Sequence, residues 1–411
     1  MKKFLAFKTK NIIKNSLVVV LCFSIIFGIC ACAKSKTKED ESENYITIGK
    51  VCTLTGNLNQ YAQGSLETEE KAIEQINKDG GIFIKEAGKK LPVRFVMADS
   101  ASTKEGAKEA AEKLIEEDKI DLMIVSDTSR EVIPVCEVCE QKGIPCIALN
   151  SRNDEWIENG PFDYSFNASY ELKSILNPLL NIWKANNISA VALMAPDNDY
   201  GRNIAEKVSE FCTDNKITLI DFGRFTEGIT DYTSTINLMK NANPGALLCF
   251  MDNSDFEIFY KQTKDNRFYV NMCSLFNSSY LDSEIRTMGK EEGFASGISS
   301  SIAWGEDFPY NSSIDGTSSL KLASWWEKTF SSSAPEMLGI KYANCELAID
   351  ILKRAQSKDA DKIVKAAKET NLDTLIGHIS FNDKNQAVLP LNICKWTYEN
   401  GEWKQEIIYK N

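Results

Sequence analysis

The sequence predicts an α/β protein of two lobes, each a doubly wound, Rossmann-like sheet. Three observations carry that expectation. From residue 45 onward, short apolar runs alternate with amphipathic stretches of helical length, the pattern of βαβ units around a parallel sheet. The alternation pauses at a polar segment holding Trp156, Phe162, Tyr164 and Phe166, then starts afresh without repeating its sequence. The chain has 411 residues, and what remains after its N-terminal segment is enough for two cores.

The elements follow in order. Residues 45–54 are a β-rich run broken by Gly56 and Asn57. Residues 65–77 have a helical period that stops at Asp79, Gly80 and Gly81, where glycine accepts the left-handed backbone of a helix end. Residues 91–97 form a strand, and Ser102 followed by Glu105 predicts a capped helix to about residue 117. Residues 121–125 read as a buried strand, 126–129 as a polar turn, and Thr128 with Glu131 as a capping box opening a helix to Lys142. Residues 145–149 are the next strand, leaving through Asn150, Ser151 and Arg152.

The second series reads helix 170–185, strand 189–193, polar turn 196–201, helix 203–215, strand 217–222, helix 230–239 and strand 245–250. It leaves through Met251, Asp252 and Asn253 to a helix from Asp255 and a strand at 269–274. Beyond Gly293 the pattern is less regular, with a serine-rich stretch at 297–301 and helices at 318–330, 335–355 and 359–370. Strands at 377–381, 388–398 and 403–409 end the chain, and Asn400-Gly401 between two of them is a hairpin signal.

The N-terminus predicts where the protein works. Lys2, Lys3, Lys8, Lys10 and Lys14 precede an uncharged run at 15–33 that is just long enough to span a bilayer, so an uncleaved anchor is one reading. Ile29-Cys30-Ala31-Cys32, however, resembles a bacterial lipoprotein cleavage box, so the expectation is a signal peptide at 1–31, cut after Ala31, with lipid on Cys32. A two-chain lipid holds a protein on a membrane. Residues 33–44 are charged and lack apolar periodicity, which suits a flexible tether.

Loss of residues 1–31 would take the formal charge from -11 to -16, which argues against nucleic acid as a partner. Of the twelve cysteines, nine would then remain beside the lipidated one, mostly in apolar strand or helix runs where free cysteine behaves as a small hydrophobe. Cys136 and Cys139 sit within a helical stretch without a second pair, and His378 is the one histidine, so neither a zinc site nor His-assisted nucleophilic catalysis is expected. Asp197, Asp199 and Gly201 miss the calcium-loop spacing, because the twelfth position is Val208. No cofactor is called for.

In a parallel sheet, ligands sit beyond the carboxyl ends of the strands. Ser126 to Ser129 and Asn150 to Arg152 leave the same sheet edge, so all of Ser126 to Ser129, together with Asn150, Ser151 and Arg152, are candidate walls of one site; the competing reading is two ordinary connections.

Leu54-Thr55-Gly56 with Gln60-Tyr61, Gly80-Gly81-Ile82, and Asp199-Tyr200-Gly201 follow the signal in that order. Together they resemble the type I periplasmic-binding-protein family, in particular the branched-chain amino acid receptor-like solute-binding lipoproteins of ABC transporters, over residues 45–411. The resemblance implies two lobes joined by crossovers near 166–168, 293–300 and 376–380. Lobe I would hold 45–167 plus 297–375, and lobe II 168–296 plus 376–411. It implies that Ser129 and Asn150 to Arg152 hold a ligand carboxylate under Tyr61, while Tyr200, Asp252 and Ser274 approach from lobe II.

Two departures stand out. The family often has small residues or threonine where Asn150 and Arg152 stand, and an acid near Ser274. Here Asp252 is the obvious acid, and Arg152 could meet a second carboxylate or pair with Asp154. An α-amino acid leads the expected ligands, with amides, small carboxylic acids and aromatic acids also open. The resemblance further implies a monomeric, extracytoplasmic, membrane-anchored binding protein, not an enzyme, that delivers its ligand to an ABC permease. The alternative is a sensor of the same fold coupled to a signalling receptor.

Overall fold

The computed structural model describes residues 44–276 and 297–410. Cys32 and the expected signal and tether therefore lie outside the described residues, except for Asn44.

The first half begins with β1 (Ile46–Cys52), α1 (Ser65–Lys78), a hairpin of β2 (Ile82–Ile84) and β3 (Lys89–Leu91), and β4 (Val93–Asp99). It continues through α2 (Lys104–Glu116), β5 (Leu122–Val125), α3 (Ser129–Lys142), β6 (Cys146–Leu149), α4 (Asn153–Asn159) and β7 (Ser165–Ser169). The second series is α5 (Leu172–Ala185), β8 (Ala190–Met194), α6 (Asp199–Asp214), β9 (Thr218–Ile220), α7 (Thr233–Ala242), β10 (Ala246–Phe250), α8 (Asn253–Asp265), β11 (Met272–Phe276) and β12 (Ile298–Ile302). Then come α9 (Ser319–Phe330), α10 (Met337–Ala355), α11 (Ala360–Lys368), β13 (Asn371–Thr374), β14 (Gly377–Ser380), β15 (Gln386–Val388), β16 (Asn392–Glu399) and β17 (Glu402–Tyr409).

Among the described residues these strands form two large sheets. The first has six strands, all parallel, in the order β15-β7-β6-β5-β1-β4. The second has seven, β17-β16-β12-β11-β10-β8-β9, with β16 and β17 antiparallel at one edge. In the first sheet β1 lies between β4 and β5, and in the second β8 lies between β9 and β10, so both reverse their winding there and both open a crevice at the carboxyl ends of those strands.

Both faces of the first sheet are covered, which is why its strands are continuously apolar rather than alternating. Leu122, Ile124, Ile147 and Leu149 pack toward α1 and α10, while Met123, Val125, Cys146 and Ala148 pack toward α2 and α3. The nine expected cysteines are all free and buried, Cys52, Cys136, Cys139, Cys146 and Cys345 in these layers and Cys212, Cys249, Cys273 and Cys394 on α6, β10, β11 and β16. The break after α1 needs glycine. Gly81 has φ 88°, and a Cβ there would lie 2.0 Å from the Leu91 carbonyl oxygen.

Several local expectations shift. Thr103, not Ser102, caps α2, its hydroxyl accepting from Gly106 N at 2.9 Å. Ser102 instead has φ 59° and braces the loop after β1, donating to the Thr55 carbonyl and accepting from Leu58 N. The polar segment before residue 160 contains α4, too short to show a period. The expected strand 388–398 is two strands in different sheets: Ala387 pairs with Ala168 in the first, and Cys394 with Ser300 in the second.

The crossings therefore come later than expected. Sheet membership changes after Ser169, after Ile302 and after Val388, because β12 is a parallel partner of β11 and β15 a parallel partner of β7. Residues 297–302 thus sit with the second sheet and 386–388 with the first, correcting the lobe boundaries set at 297 and 376.

Candidate functional site

The carboxyl ends of strands from both sheets enclose a cavity of about 120 Å³. From the first sheet it is lined by Asp127, Thr128 and Ser129 after β5, Asn150 and Arg152 after β6, and Tyr170 after β7. The second sheet supplies Tyr200, Phe250 and Phe276 from the β8, β10 and β11 ends and Ser301 from β12, and the connecting segments supply Ala303, Glu336 and Leu391. Tyr61, in a short helical turn after β1, closes one side and is 6 % exposed. A larger cleft of about 1,020 Å³ shares Tyr61, Ser129, Glu155 and Tyr200 with this cavity, and is also lined by Arg130 from α3 and Asp252.

Of the residues expected from the sequence, Tyr61, Ser129, Asn150, Arg152 and Tyr200 come together here. Asp252 lines the outer cleft instead. Burial raises its carboxyl above the ordinary range, while Arg130 acts the other way. Ser151 and Ser274 line neither space. Ser151 is fully buried, its carbonyl accepting from Asn167 Nδ2 at 2.7 Å, and Ser274 shares a hydrogen bond of 2.8 Å with Ser299 inside the second sheet. A parallel strand buried on both faces has no solvent side from which Ser274 could reach a ligand.

The polar wall is held from behind. Lys50 on β1, Glu69 on α1, Asp127 after β5 and Lys341 on α10 are fully buried and form a cluster of two cations and two acids. Lys50 pairs with Glu69 and, at 3.7 Å, with Asp127; Lys341 pairs with Asp127. Asp127 Oδ2 also accepts from Thr53 N at 2.8 Å and Thr53 Oγ1 at 3.0 Å. Burial opposes the charge on Asp127, but Lys341 and Lys50 prevail and lower its pKa; burial lowers Lys341 and pushes Glu69 up to about 7. The next turn is tied in the same way, since Asn150, at φ 67°, donates from Nδ2 to the Asp127 carbonyl at 2.7 Å. A short polar side chain tolerates that left-handed backbone.

Ser129 is the first residue of α3, after Thr128, whose hydroxyl accepts from Arg130 N and meets Glu131. First-turn N–H groups lack intrahelical partners and favour an anion. Arg152 is 7 % exposed, with Nε 3.1 Å from Asp154 and Nη2 3.1 Å from Glu155; no donor on its guanidinium is aligned for a hydrogen bond. Its Cζ lies 5.3 Å from the centroid of the Tyr200 ring, so a cation from one lobe faces an aromatic from the other. Lys207 on α6 reaches across as well, 3.0 Å from Asp154 and 2.7 Å from Glu158.

Sequence reasoning missed Glu155, Tyr170, Phe250, Phe276 and Glu336, whereas Thr128 falls within the expected turn at Ser126 to Ser129. Phe250 and Phe276 could have been found, since each ends an apolar run at the ligand edge of a strand. Tyr170 and Glu336 lie at crossovers, which leave no periodic signal.

A profile of the family described as periplasmic binding protein matches residues 45–402. The leucine-specific-binding protein of Salmonella typhimurium is 22 % identical over 369 residues, 88 % of this chain and 92 % of that protein. Against Leu/Ile/Val-binding protein homolog 3 of Brucella melitensis, identity is 23 % and the chain spans about half of the relative, 52 % of its length. Among solved structures, a branched-chain amino acid transporter substrate-binding protein of Streptococcus pneumoniae in complex with isoleucine superposes with a TM-score of 0.72 at 19 % identity, over 89 % of this chain and 99 % of that one. A solute-binding protein of an ABC transporter from Rhodopseudomonas palustris, in complex with 3,4-dihydroxybenzoic acid, gives 0.71 at 20 % identity, over 89 % and 97 %. Members of this family bind solutes and are not enzymes. Two parallel sheets meeting at their carboxyl ends around a small polar cavity, and a family profile that runs through both, make this chain a member of the periplasmic binding protein family.

Proposed function

We propose that this protein captures a small amino acid outside the cytoplasm and hands it to an ABC permease. The observation that carries the reading is the cavity of about 120 Å³ walled by strand ends of both sheets. It is small beside the roughly 300–1,000 Å³ of sites for drug-sized ligands. Ser129 and the first turn of α3 take the ligand's carboxylate, and Phe250, Phe276 and Leu391 receive its apolar part. Tyr61 and Tyr200 close over it. Contacts to both lobes exist together only when the cleft is shut, so ligand shifts the lobes toward closure by its differential affinity for that state.

Among the described residues no helix is long and apolar enough to cross a membrane. In this reading the protein is attached through lipid at Cys32, followed by the tether. Mass spectrometry of the membrane-extracted protein should find a diacylglycerol-modified Cys32 at the new N-terminus, and Cys32→Ser should release the protein from membranes. An unprocessed N-terminus would contradict this.

A thermal-shift screen of the common amino acids and small organic acids tests capture itself. At a hundredfold above its dissociation constant a true ligand stabilises the fold by about 2.7 kcal/mol. Turnover of any compound without stabilisation would overturn the reading.

A further inference from the structure

A second hollow, of about 480 Å³ against about 120 Å³ for the inner cavity, shares with that cavity Glu336 alone among the described residues. Its walls come from the segment that follows β12, from α9 and from the β16–β17 hairpin. Four aromatic side chains give it an apolar lining: Trp304 and Phe308 from the segment, Trp396 on β16 and Trp403 on β17. The hairpin register explains the last two. Trp396 stands opposite Gln405 and Tyr398 opposite Trp403, and residues two apart along a strand share a face, so both indoles project from the same side of the hairpin.

Two further properties set this hollow apart from an ordinary surface groove. The first is charge. Glu306, Asp307 and Glu327 line it, and among the described residues none of the three pairs with a cation. Lys404 is the one cation in the lining, and it lies 3.8 Å from Glu399. Glu306 registers the imbalance: burial, Asp307 and Glu327 all raise its carboxyl above the ordinary range.

The second is an unanswered donor. Trp396 is 4 % exposed, and its Nε1 has no hydrogen-bond partner among the described residues, whereas the equally buried Trp304 donates from Nε1 to Ser319 Oγ at 3.1 Å. Gln405, the cross-strand neighbour of Trp396, turns its amide to Cys394, with Nε2 3.2 Å from Sγ. A buried N–H without an acceptor is costly, so an occupant that brings a carbonyl relieves that cost.

The three features fit three parts of one molecule. Aromatic rings take an apolar body and attract a cation, carboxylates take an ammonium, and the Trp396 N–H takes a carbonyl. We propose that this hollow is a second binding site, for an α-amino amide: an ammonium, a neighbouring amide carbonyl and an apolar side chain, with no carboxylate. Amino-acid amides carry that chemistry, and so does the first residue of a peptide. A free amino acid would bring its carboxylate against Glu306, Asp307 and Glu327, so the hollow does not duplicate the cleft.

The test titrates the intact protein with leucinamide, 3-methylbutylamine, N-acetylleucinamide and leucyl-alaninamide, followed by calorimetry and indole fluorescence. The second probe lacks the carbonyl and the third lacks the charge. Leucinamide should bind more tightly than either, by roughly 5- to 10-fold over the amine and roughly 10- to 100-fold over the acetylated amide. The double variant Glu306→Gln, Glu327→Gln, altered at exposed positions, should weaken leucinamide by roughly tenfold and flatten its salt dependence. Trp396→Phe keeps a ring and removes the donor, so it should bring leucinamide down to the level of 3-methylbutylamine. Ser129→Ala, in the cleft, should leave leucinamide binding unchanged. Leucyl-alaninamide binding as well as leucinamide would identify a peptide end as the occupant, and its failure beside leucinamide a free amide. No binding of leucinamide at millimolar concentration, equal affinity for 3-methylbutylamine or N-acetylleucinamide, an unchanged affinity in the double variant, or a loss in Ser129→Ala overturns the assignment. Should Trp396→Phe not fold, the comparison of leucinamide with 3-methylbutylamine decides on the unaltered protein.

Discussion

The two walls of the cleft come from the same kind of strand end, yet they differ in how firmly their polarity is held. On the first sheet, the turns after β5 and β6 present Asp127, Ser129, Asn150 and Arg152, with the fully buried charges of Lys50, Glu69 and Lys341 behind them. On the second, Tyr200, Phe250 and Phe276 are aromatic, and the acids Asp199, Glu227 and Asp252 stand outside the inner cavity. A wall whose loops are bonded to one another stays put when empty, whereas an aromatic face can close over whatever that wall has already oriented. On the proposed reading the difference gives binding an order, with polar capture on the first lobe and apolar cover from the second.

That contrast can be broken at four points. Asp127→Asn should be the most damaging, because it leaves Lys50 and Lys341 to share Glu69; a loss of about 3–5 kcal/mol in urea unfolding is expected. A loss below about 1 kcal/mol would mean the cluster does not brace the wall. Ser129→Ala leaves the fold intact and removes a hydrogen bond to a charged ligand, so calorimetry should show affinity falling by roughly 10- to 100-fold. Tyr200→Ala removes the ring facing Arg152 and should weaken binding by about 1–2 kcal/mol, mainly through faster release. Lys207→Ala cuts the link to Asp154 and Glu158 and should cost a few-fold at most, an effect that shrinks as salt is added. If Tyr200→Ala proved harsher than Ser129→Ala, the order of the two walls would have to be reversed.

Much of the first wall was legible because it obeys a rule about strand ends. Ser129, Asn150 and Arg152 follow unmistakable apolar runs, and the turn of a parallel sheet has only one edge at which to face a ligand. The bracing behind it was hidden, since Lys50 and Lys341 look like ordinary surface charges until their strand and helix are known to be buried on all sides. The lobe boundaries were displaced for a related reason. Residues 388–398 read as one strand, although Pro390 gave warning, because it cannot donate to a ladder and marks the place where the chain leaves one sheet for the other. Glu336 carried no signal at all, being an acid in a crossover whose meaning depends on what lies 33 residues earlier, at Ala303 N.

Nine reduced thiols packed among apolar side chains have a consequence for the protein's lifetime outside the cell. As long as the molecule stays folded, an oxidising medium cannot reach them. One excursion to the open chain offers all nine at once, and random cross-linking would then block the return. Durability is therefore governed by how seldom the chain unfolds rather than by how favourable refolding is, and a bound solute that slows opening would also act as an antioxidant.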